Sequence, residues 1–445
     1  MQRFSSRLHA GLCAVVLLQV AAAAAQAGST KASVTPPFSP NSANPQFILL
    51  TNDDSVTQGV YNALTSVTTG RKSLTGCAAA ATLFAVGRRD WGQDCALVKK
   101  LYNAGYEVAD HTQNHISLRG LPYAQVEKEI SEGRRSLAAC GIPAADLVGF
   151  RGPLLETDVN TRKALSTLGF LYDSTLLEET SGNSVSRSLS QRVYPFSMDN
   201  GVPLNCRWFG GIQTCSTSER WPGLYEIPVW NLWPDKTPSF MLLAPTLLYV
   251  SFLSFLQIPV WNLWLNKTPY SMDYGTGSNA YALLKANFDA AYAGNRAPLP
   301  IFVHEPWLQE GSNLAGLKQF VDYALKKPDV YLVTMRQLIG WMKNPIPANR
   351  LTPEGLGCGK PGGAYGTGKP GAVRAQSSTP SSSPKPSPSP SPKPSLPVAA
   401  PGGACGPAVG ARCPINQCCS QYGYCGITAQ HCGAGCQKTY GQCNK

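Results

Sequence analysis

Two histidines stand four residues apart in Asp110-His111-Thr112-Gln113-Asn114-His115. Neutral imidazoles are good ligands for a divalent cation, and a four-residue gap puts both on one face of a helical turn. The spacing predicts such a turn presenting two ligands to one metal ion. No Glu follows the first His, so this is not the metalloprotease pattern. An acid to complete the set is found in Thr51-Asn52-Asp53-Asp54, where adjacent carboxylates repel unless a cation or a function offsets them. Arg151-Gly152-Pro153 and His304-Glu305-Pro306-Trp307 each follow an apolar run. Metal-assisted hydrolysis is the chemistry these residue types can perform together.

The elements that must position them alternate in kind. Apolar runs at Phe47–Thr51, Ala81–Val86, Tyr106–Ala109, Leu147–Phe150, Phe170–Tyr172, Tyr225–Val229, Ile301–Val303 and Tyr331–Thr334 predict strands. Helical spacing marks Cys95–Ala104, Tyr123–Ala139, Asn160–Leu168 and Leu314–Leu325. Strands interleaved with helices imply a parallel sheet, here a closed or nearly closed β/α barrel. In such a barrel the carboxyl ends of the strands meet at one mouth, and each candidate set sits at a strand end.

The composition points to export. Arg3 and Arg7 precede an apolar run from Leu12 to Ala25, followed by Ala25-Gln26-Ala27, the pattern of a signal peptide over residues 1–27. Of 15 cysteines, Cys13 would leave with it, and eight of the remaining fourteen crowd into Cys405–Cys443, as in a disulfide-built exported protein. The formal net charge is +12, but the basic residues are dispersed, so no nucleic-acid partner is expected. Neither a membrane span nor an oligomer is expected. The catalytic domain is placed at 46–350. Residues 359–404, rich in Pro, Ser and Gly, read as an extended spacer before a compact tail at 405–443.

The tail contains Cys418-Cys419-Ser420-Gln421-Tyr422-Gly423-Tyr424-Cys425-Gly426 within its eight cysteines. Flat aromatic faces suit the apolar faces of sugar rings. This segment resembles the hevein-type chitin-binding domain. The resemblance implies that Ser420, Tyr422, Tyr424 and His431 form an N-acetylglucosamine groove, with His431 where the family usually has an aromatic residue. It also implies bridges Cys405–Cys419, Cys413–Cys425, Cys418–Cys432 and Cys436–Cys443.

Thr-x-Asp-Asp, His-Thr-x-x-His, Arg-x-Pro and a late strand ending in His resemble the polysaccharide deacetylases, family 4 of the carbohydrate esterases. Leu171-Tyr172-Asp173-Ser174 and Tyr225-Glu226-Ile227-Pro228 look like its chitin deacetylase branch. The resemblance implies a distorted (β/α) barrel of fewer than eight units and a divalent metal, Zn2+ above all, on Asp54, His111 and His115. It implies Asp53 as general base, Arg151 as the residue that holds Asp53, the Leu154 backbone N–H as oxyanion donor, and His304 as general acid. The family's Asp that orients this His has no clear counterpart, since Trp230-Asn231 or Trp261-Asn262 occupies that region. Asn52 stands where the family has Phe. Trp307 fits a cleft wall or the core equally, and Cys206 and Cys215 bracket a loop they can close.

Three functions are compatible with these features: a chitin deacetylase, the same chemistry on peptidoglycan or acetylxylan, and a chitin lectin without catalysis. One oddity stands apart. Ile227–Pro238 recurs as Ile258–Pro269 with ten of twelve positions identical, and uncharged Phe240–Leu256 lies between the copies. One barrel slot cannot hold two identical strands, so the sequence predicts that the working enzyme carries a single copy.

Overall fold

The computed structural model describes residues 35–178, 189–206, 211–232, 273, 280–371, 397–399, 403–414 and 417–443. The chain divides into two compact units, 1–377 and 378–445.

The first unit is built on a curled, mostly parallel sheet. Its strands are β1 (Gln46–Asp54), β2 (Thr82–Ala85), β3 (Glu107–Asp110), β4 (Gly149–Phe150), β5 (Tyr172–Asp173), β6 (Phe196–Ser197), β7 (Tyr225–Glu226), β8 (Leu299–Val303) and β9 (Val330–Leu332). They run in the order β6-β7-β5-β4-β3-β2-β1-β8, with β9 paired to the first residues of β1. β6 is antiparallel to β7 and the other pairs are parallel. The two ends of the path, β6 and β8, are not joined among the described residues, so the sheet is a half-barrel rather than a closed one.

Strand β1 is the centre of the core. Its eight residues from Gln46 to Asp53 are buried, which its apolar stretch Phe47–Leu50 favours because both faces of a parallel strand are covered. The main helices of this unit are α1 (Gln58–Thr68), α2 (Cys95–Asn103), α3 (Tyr123–Ala139), α4 (Val159–Thr167), α5 (Ala280–Ala293), α6 (Glu305–Gln309), α7 (Gly311–Ala324) and α8 (Met335–Lys343). Their starts are written locally: Asp94 and Asp158 cap α2 and α4, and Thr334 with Gln337 forms a capping box on α8. Helices α1, α5, α6 and α8 had no counterpart in the sequence reading. Trp341 of α8 is fully buried and meets Phe47 edge-on at 5.1 Å.

Cys77–Cys358, Cys95–Cys140 and Cys206–Cys215 are disulfides of this unit. Residues 359–371, expected as spacer, instead lie against the barrel. Thr334 Oγ1 donates to the Gly363 carbonyl at 3.1 Å, and a side chain at Gly340 would collide with Tyr365. The described part of the first repeat copy, residues 227–232, packs in the core: Ile227, Val229, Trp230 and Leu232 are core residues, and Val229 bridges to Leu177, while residues 233–238 lie outside the described residues. The second copy, Phe240–Leu256 and the signal segment lie outside the described residues. No described helix is long and apolar enough to cross a membrane.

The second unit is a two-stranded antiparallel sheet, β10 (Cys418–Cys419) with β11 (Cys425–Gly426), and a short helix at Ala429–Cys432. Its disulfides are Cys405–Cys419, Cys413–Cys425, Cys418–Cys432 and Cys436–Cys443. The core is little more than these cysteines, so cross-links supply what buried area cannot.

Candidate active site

Parallel strands bring their carboxyl ends to one edge, and β1, β3, β4 and β8 end at Asp54, Asp110, Phe150 and Val303. Each is followed or terminated by a residue of the predicted set. Asp53 is buried, and Arg151 Nη1 donates to its Oδ1 at 2.6 Å. Arg151 is itself fully buried and held on every side. It donates to Thr51 Oγ1 at 3.0 Å, to the Ser174 carbonyl at 2.9 Å and to Ser174 Oγ at 3.1 Å. The rings of Phe84 and Phe302 flank its guanidinium at 4.0 and 4.1 Å. Such a sandwich fixes the planar fork, so the pair with Asp53 is rigid.

Asp54, His111 and His115 converge, their ligand atoms lying within 4.8 Å of one another. His115 Nε2 is 3.3 Å and His111 Nε2 is 3.8 Å from Asp54 Oδ1. The residues fit a divalent ion: that same Oδ1 is buried and takes no hydrogen bond, which two ring nitrogens and a cation between them would explain. His111 Nδ1 lies 2.8 Å from the Arg151 carbonyl, an arrangement that assigns the proton to Nδ1 and leaves the Nε2 lone pair for a ligand. Burial first, and the neighbouring His115 second, push His111 down to about 3, so it is the neutral imidazole that a metal needs.

The sequence reading placed the two histidines on a helical turn, and the structure corrects this. They lie on the loop after β3, where Thr112 and His115 have φ of 67° and 55°. Asp110 Oδ1 accepts from Thr112 N at 2.8 Å and Thr112 Oγ1 from His115 N at 3.1 Å, so side chains replace the helical hydrogen bonds. Asp54 is also left-handed, at φ 76°. Left-handed non-glycine residues cost about 1–3 kcal/mol each and gather at functional sites.

A second correction concerns His304. An orienting Asp does exist, and it is Asp273, which the sequence reading passed over. Its Oδ2 is 2.7 Å from His304 Nδ1, and its Oδ1 accepts from the His304 backbone N at 2.8 Å. Burial by itself would lower the His304 imidazole, but the hydrogen bond and charge of Asp273, helped by Asp53 and Asp54, raise it to about 9. His304 Nε2 points toward Asp54, 3.9 Å from Oδ2. No local pattern marks Ser271-Met272-Asp273, so only spatial proximity identifies it. Trp307, two-sided in the sequence, is core, at 5% exposure.

Leu154 stands just past Arg151 with φ 60° and 40% exposure. Trp91, 42% exposed, lies 5.5 Å from the His115 ring and carries Arg88 at 4.5 Å on its ring. In the second unit Tyr422 and Tyr424 are 76% and 56% exposed. Ser420 is buried, its Oγ accepting from Tyr424 N at 3.2 Å. His431 Nδ1 is 2.8 Å from Thr428 Oγ1, and its ring covers Gly426, where a Cβ would collide.

The chain carries a polysaccharide deacetylase domain: the family described as polysaccharide deacetylase matches residues 41–172, the span from just before β1 to the start of β5. The chain also carries a hevein-type chitin-binding domain: the family described as chitin recognition protein matches residues 404–443. Among relatives, the chain is 26% identical to chitin deacetylase 8 of Bombyx mori over 69% of its own length and 72% of that protein's. It is 28% identical to chitin deacetylase 1 of Bombyx mori, covering 68% of this chain but only 51% of that one. The tail is 63% identical over 30 residues to Lectin-D2 of Phytolacca americana, covering 7% of this chain and 37% of the lectin.

Proposed function

We propose that the protein is a secreted, metal-dependent chitin deacetylase that hydrolyses N-acetyl groups to leave glucosamine units and acetate. The observation that carries this reading is the meeting of Asp53–Arg151, Asp54–His111–His115 and Asp273–His304 at one sheet edge, on a chain with a chitin-binding module. The seven disulfides and the relatives' printed activity support the setting and the substrate.

Asp54, His111 and His115 would hold the ion, and two nitrogens with one carboxylate oxygen suit Zn2+. Bound there, it supplies Lewis-acid polarisation of the acetyl carbonyl and of water. Asp53, aimed by Arg151, takes the proton of the attacking water. The Leu154 N–H offers a hydrogen bond to the oxygen that gains charge as the carbonyl carbon becomes tetrahedral. His304, held protonated by Asp273, gives its proton to the departing amine nitrogen. The C–N bond breaks, acetate leaves, and the free amine stays on the sugar. Tyr422 and Tyr424 stack on the polymer, with Ser420 and His431 beside them, and raise its local concentration at the barrel.

The test is acetate release by the full chain from chitin oligomers, acetylxylan and peptidoglycan fragments, with bound metal measured alongside. Chitin oligomers should release acetate, a chelator should stop it, and zinc should restore it. His111→Ala should lose metal and acetate release yet still sediment with chitin. Equal or greater release from acetylxylan or peptidoglycan would reassign the substrate. A metal-loaded protein that binds chitin without releasing acetate would leave a lectin.

A further inference from the structure

Asp173 on β5 and Glu226 on β7 are register partners in adjacent parallel strands, so their side chains leave the same face of the sheet. Both are fully buried. On each, one oxygen is satisfied and the other is not. Asp173 Oδ1 accepts from Thr175 Oγ1, and Glu226 Oε1 accepts from Thr175 N at 3.2 Å and Leu176 N at 3.0 Å. Asp173 Oδ2 and Glu226 Oε2 are buried with no partner.

The charged groups facing the pair are Arg162 from α4 and Arg151 at the end of β4. Both cations are committed elsewhere. Arg162 makes a two-pronged bond to Glu219, at 2.7 and 3.1 Å, and Arg151 is paired with Asp53. Two buried carboxylates therefore face no uncommitted positive charge, and two like charges side by side cannot both ionise at ordinary cost. One proton held by the pair removes one of the two buried charges and leaves a single carboxylate to be offset by the surrounding dipoles.

We propose that Asp173 and Glu226 share a single proton, and that this carboxyl–carboxylate pair is the positioning unit for the Arg151–Leu154 turn. Burial, then the charge of Asp173, holds the Glu226 carboxyl well above its ordinary range, whereas Asp173 rises to about 6, so the proton rests mainly on Glu226. The link to the turn is a short chain of hydrogen bonds. Thr175 Oγ1, which donates to Asp173, accepts from Gly152 N at 2.8 Å. Ser174 takes two hydrogen bonds from Arg151 and donates from Oγ to the Ile227 carbonyl at 2.8 Å. Gly152 has no room for a side chain, since a Cβ would lie 2.6 Å from the Glu156 carbonyl oxygen. The segment that sets both Arg151 and the approach to Leu154 thus hangs on the pair. What the turn does in catalysis rests on the deacetylase reading, while the existence of the shared proton does not.

The experiment compares the full chain with Glu226→Gln and Glu226→Ala. Gln reproduces the protonated carboxyl, accepting with Oε1 and donating with Nε2, so Glu226→Gln should fold with a Tm at or above the parent's. The native pair holds a proton that the unfolded chain loses in the carboxylate range, so parent stability falls as pH rises above that range. The advantage of Glu226→Gln should therefore widen from about pH 5 to about pH 8. The infrared difference spectrum, parent minus Glu226→Gln at neutral pH, should contain a protonated-carboxyl C=O band that shifts in D2O, over and above what buried Glu107 and Asp110 contribute to both proteins. Glu226→Ala should lower kcat by about a hundredfold with KM little changed, because the turn is displaced rather than the sugar contacts. A difference spectrum without the band, or Tm curves for parent and Glu226→Gln that stay parallel in pH, overturns the shared proton. Unchanged kcat in Glu226→Ala overturns the positioning role.

Discussion

His304 receives two hydrogen-bonding contacts from one carboxylate, and this decides both where its ring points and when it carries a proton. A general acid works while protonated, so activity should fall as pH rises through the raised His304 value of about 9. Asp273→Asn keeps an acceptor for Nδ1–H but removes the charge. The expected outcome is an alkaline limb moved to lower pH and kcat reduced about a hundredfold, read from full pH–rate profiles. The same sign holds for stability. The His304–Asp273 pair contributes fully below the ordinary imidazole value of about 6.5 and is lost as pH climbs to the folded one. An unmoved alkaline limb would mean that His304 is not the acid. Trp91 offers a further residue-scale check, being an exposed ring beside a proposed metal ligand. Trp91→Ala should raise KM for chitin oligomers several-fold, the loss of about 1 kcal/mol of stacking, with kcat nearly unchanged.

At the scale of elements, the repeat can be set against a real slot. Val229 bridges Leu177 beyond the end of β5, and Ile227, Trp230 and Leu232 pack into the core around it. The second copy offers Ile258, Val260, Trp261 and Leu263 at the same steps. Deleting 227–257 joins Glu226 to Ile258 and so refills every buried position with the same side chain, leaving no cavity. It also keeps Asp273, which then follows its Leu by ten residues, and the glycosylation sequon at Asn266. The shortened chain should be soluble and active, with the full chain poorly folded or membrane-associated. Sedimentation, circular dichroism and acetate release decide it. An insoluble deletion beside a soluble, active full chain would show that both copies belong to the working protein.

For the whole molecule, the relevant fact is that the proposed catalytic residues and the proposed chitin-binding residues fall in two different compact units. Tyr422 is among the most exposed aromatic rings of the second unit and takes no part in its cysteine core. Tyr422→Ala should weaken retention on insoluble chitin by about 1–2 kcal/mol, roughly five- to thirtyfold, without altering the fold of either unit. Turnover of soluble tetramers should stay within about twofold of the parent, since no tether is needed for a free substrate. A parallel collapse on soluble tetramers would mean that the module takes part in catalysis itself.

The sequence by itself determined the residues whose chemistry is local in kind. Asp53, Asp54, His111, His115, Arg151 and His304 could be picked out because each stands at the end of an apolar strand or in the few residues after it, and strand ends gather whatever their distance in the chain. The Cys-rich tail was equally legible, since so small a core leaves disulfides to hold it. Tertiary structure decided what depends on neighbours far apart in sequence. Asp273 meets His304 across 31 residues, and no period or motif encodes that approach. The His111–His115 loop escaped its helical reading because Asp110 and Thr112 bond to its backbone N–H groups, which a spacing rule cannot weigh. Among the described residues β6 and β8 do not meet, and that opening depends on how the whole sheet curls, which no single strand's sequence states. The Asp173–Glu226 pair exists only because β5 and β7 lie side by side, although 53 residues separate the two acids along the chain.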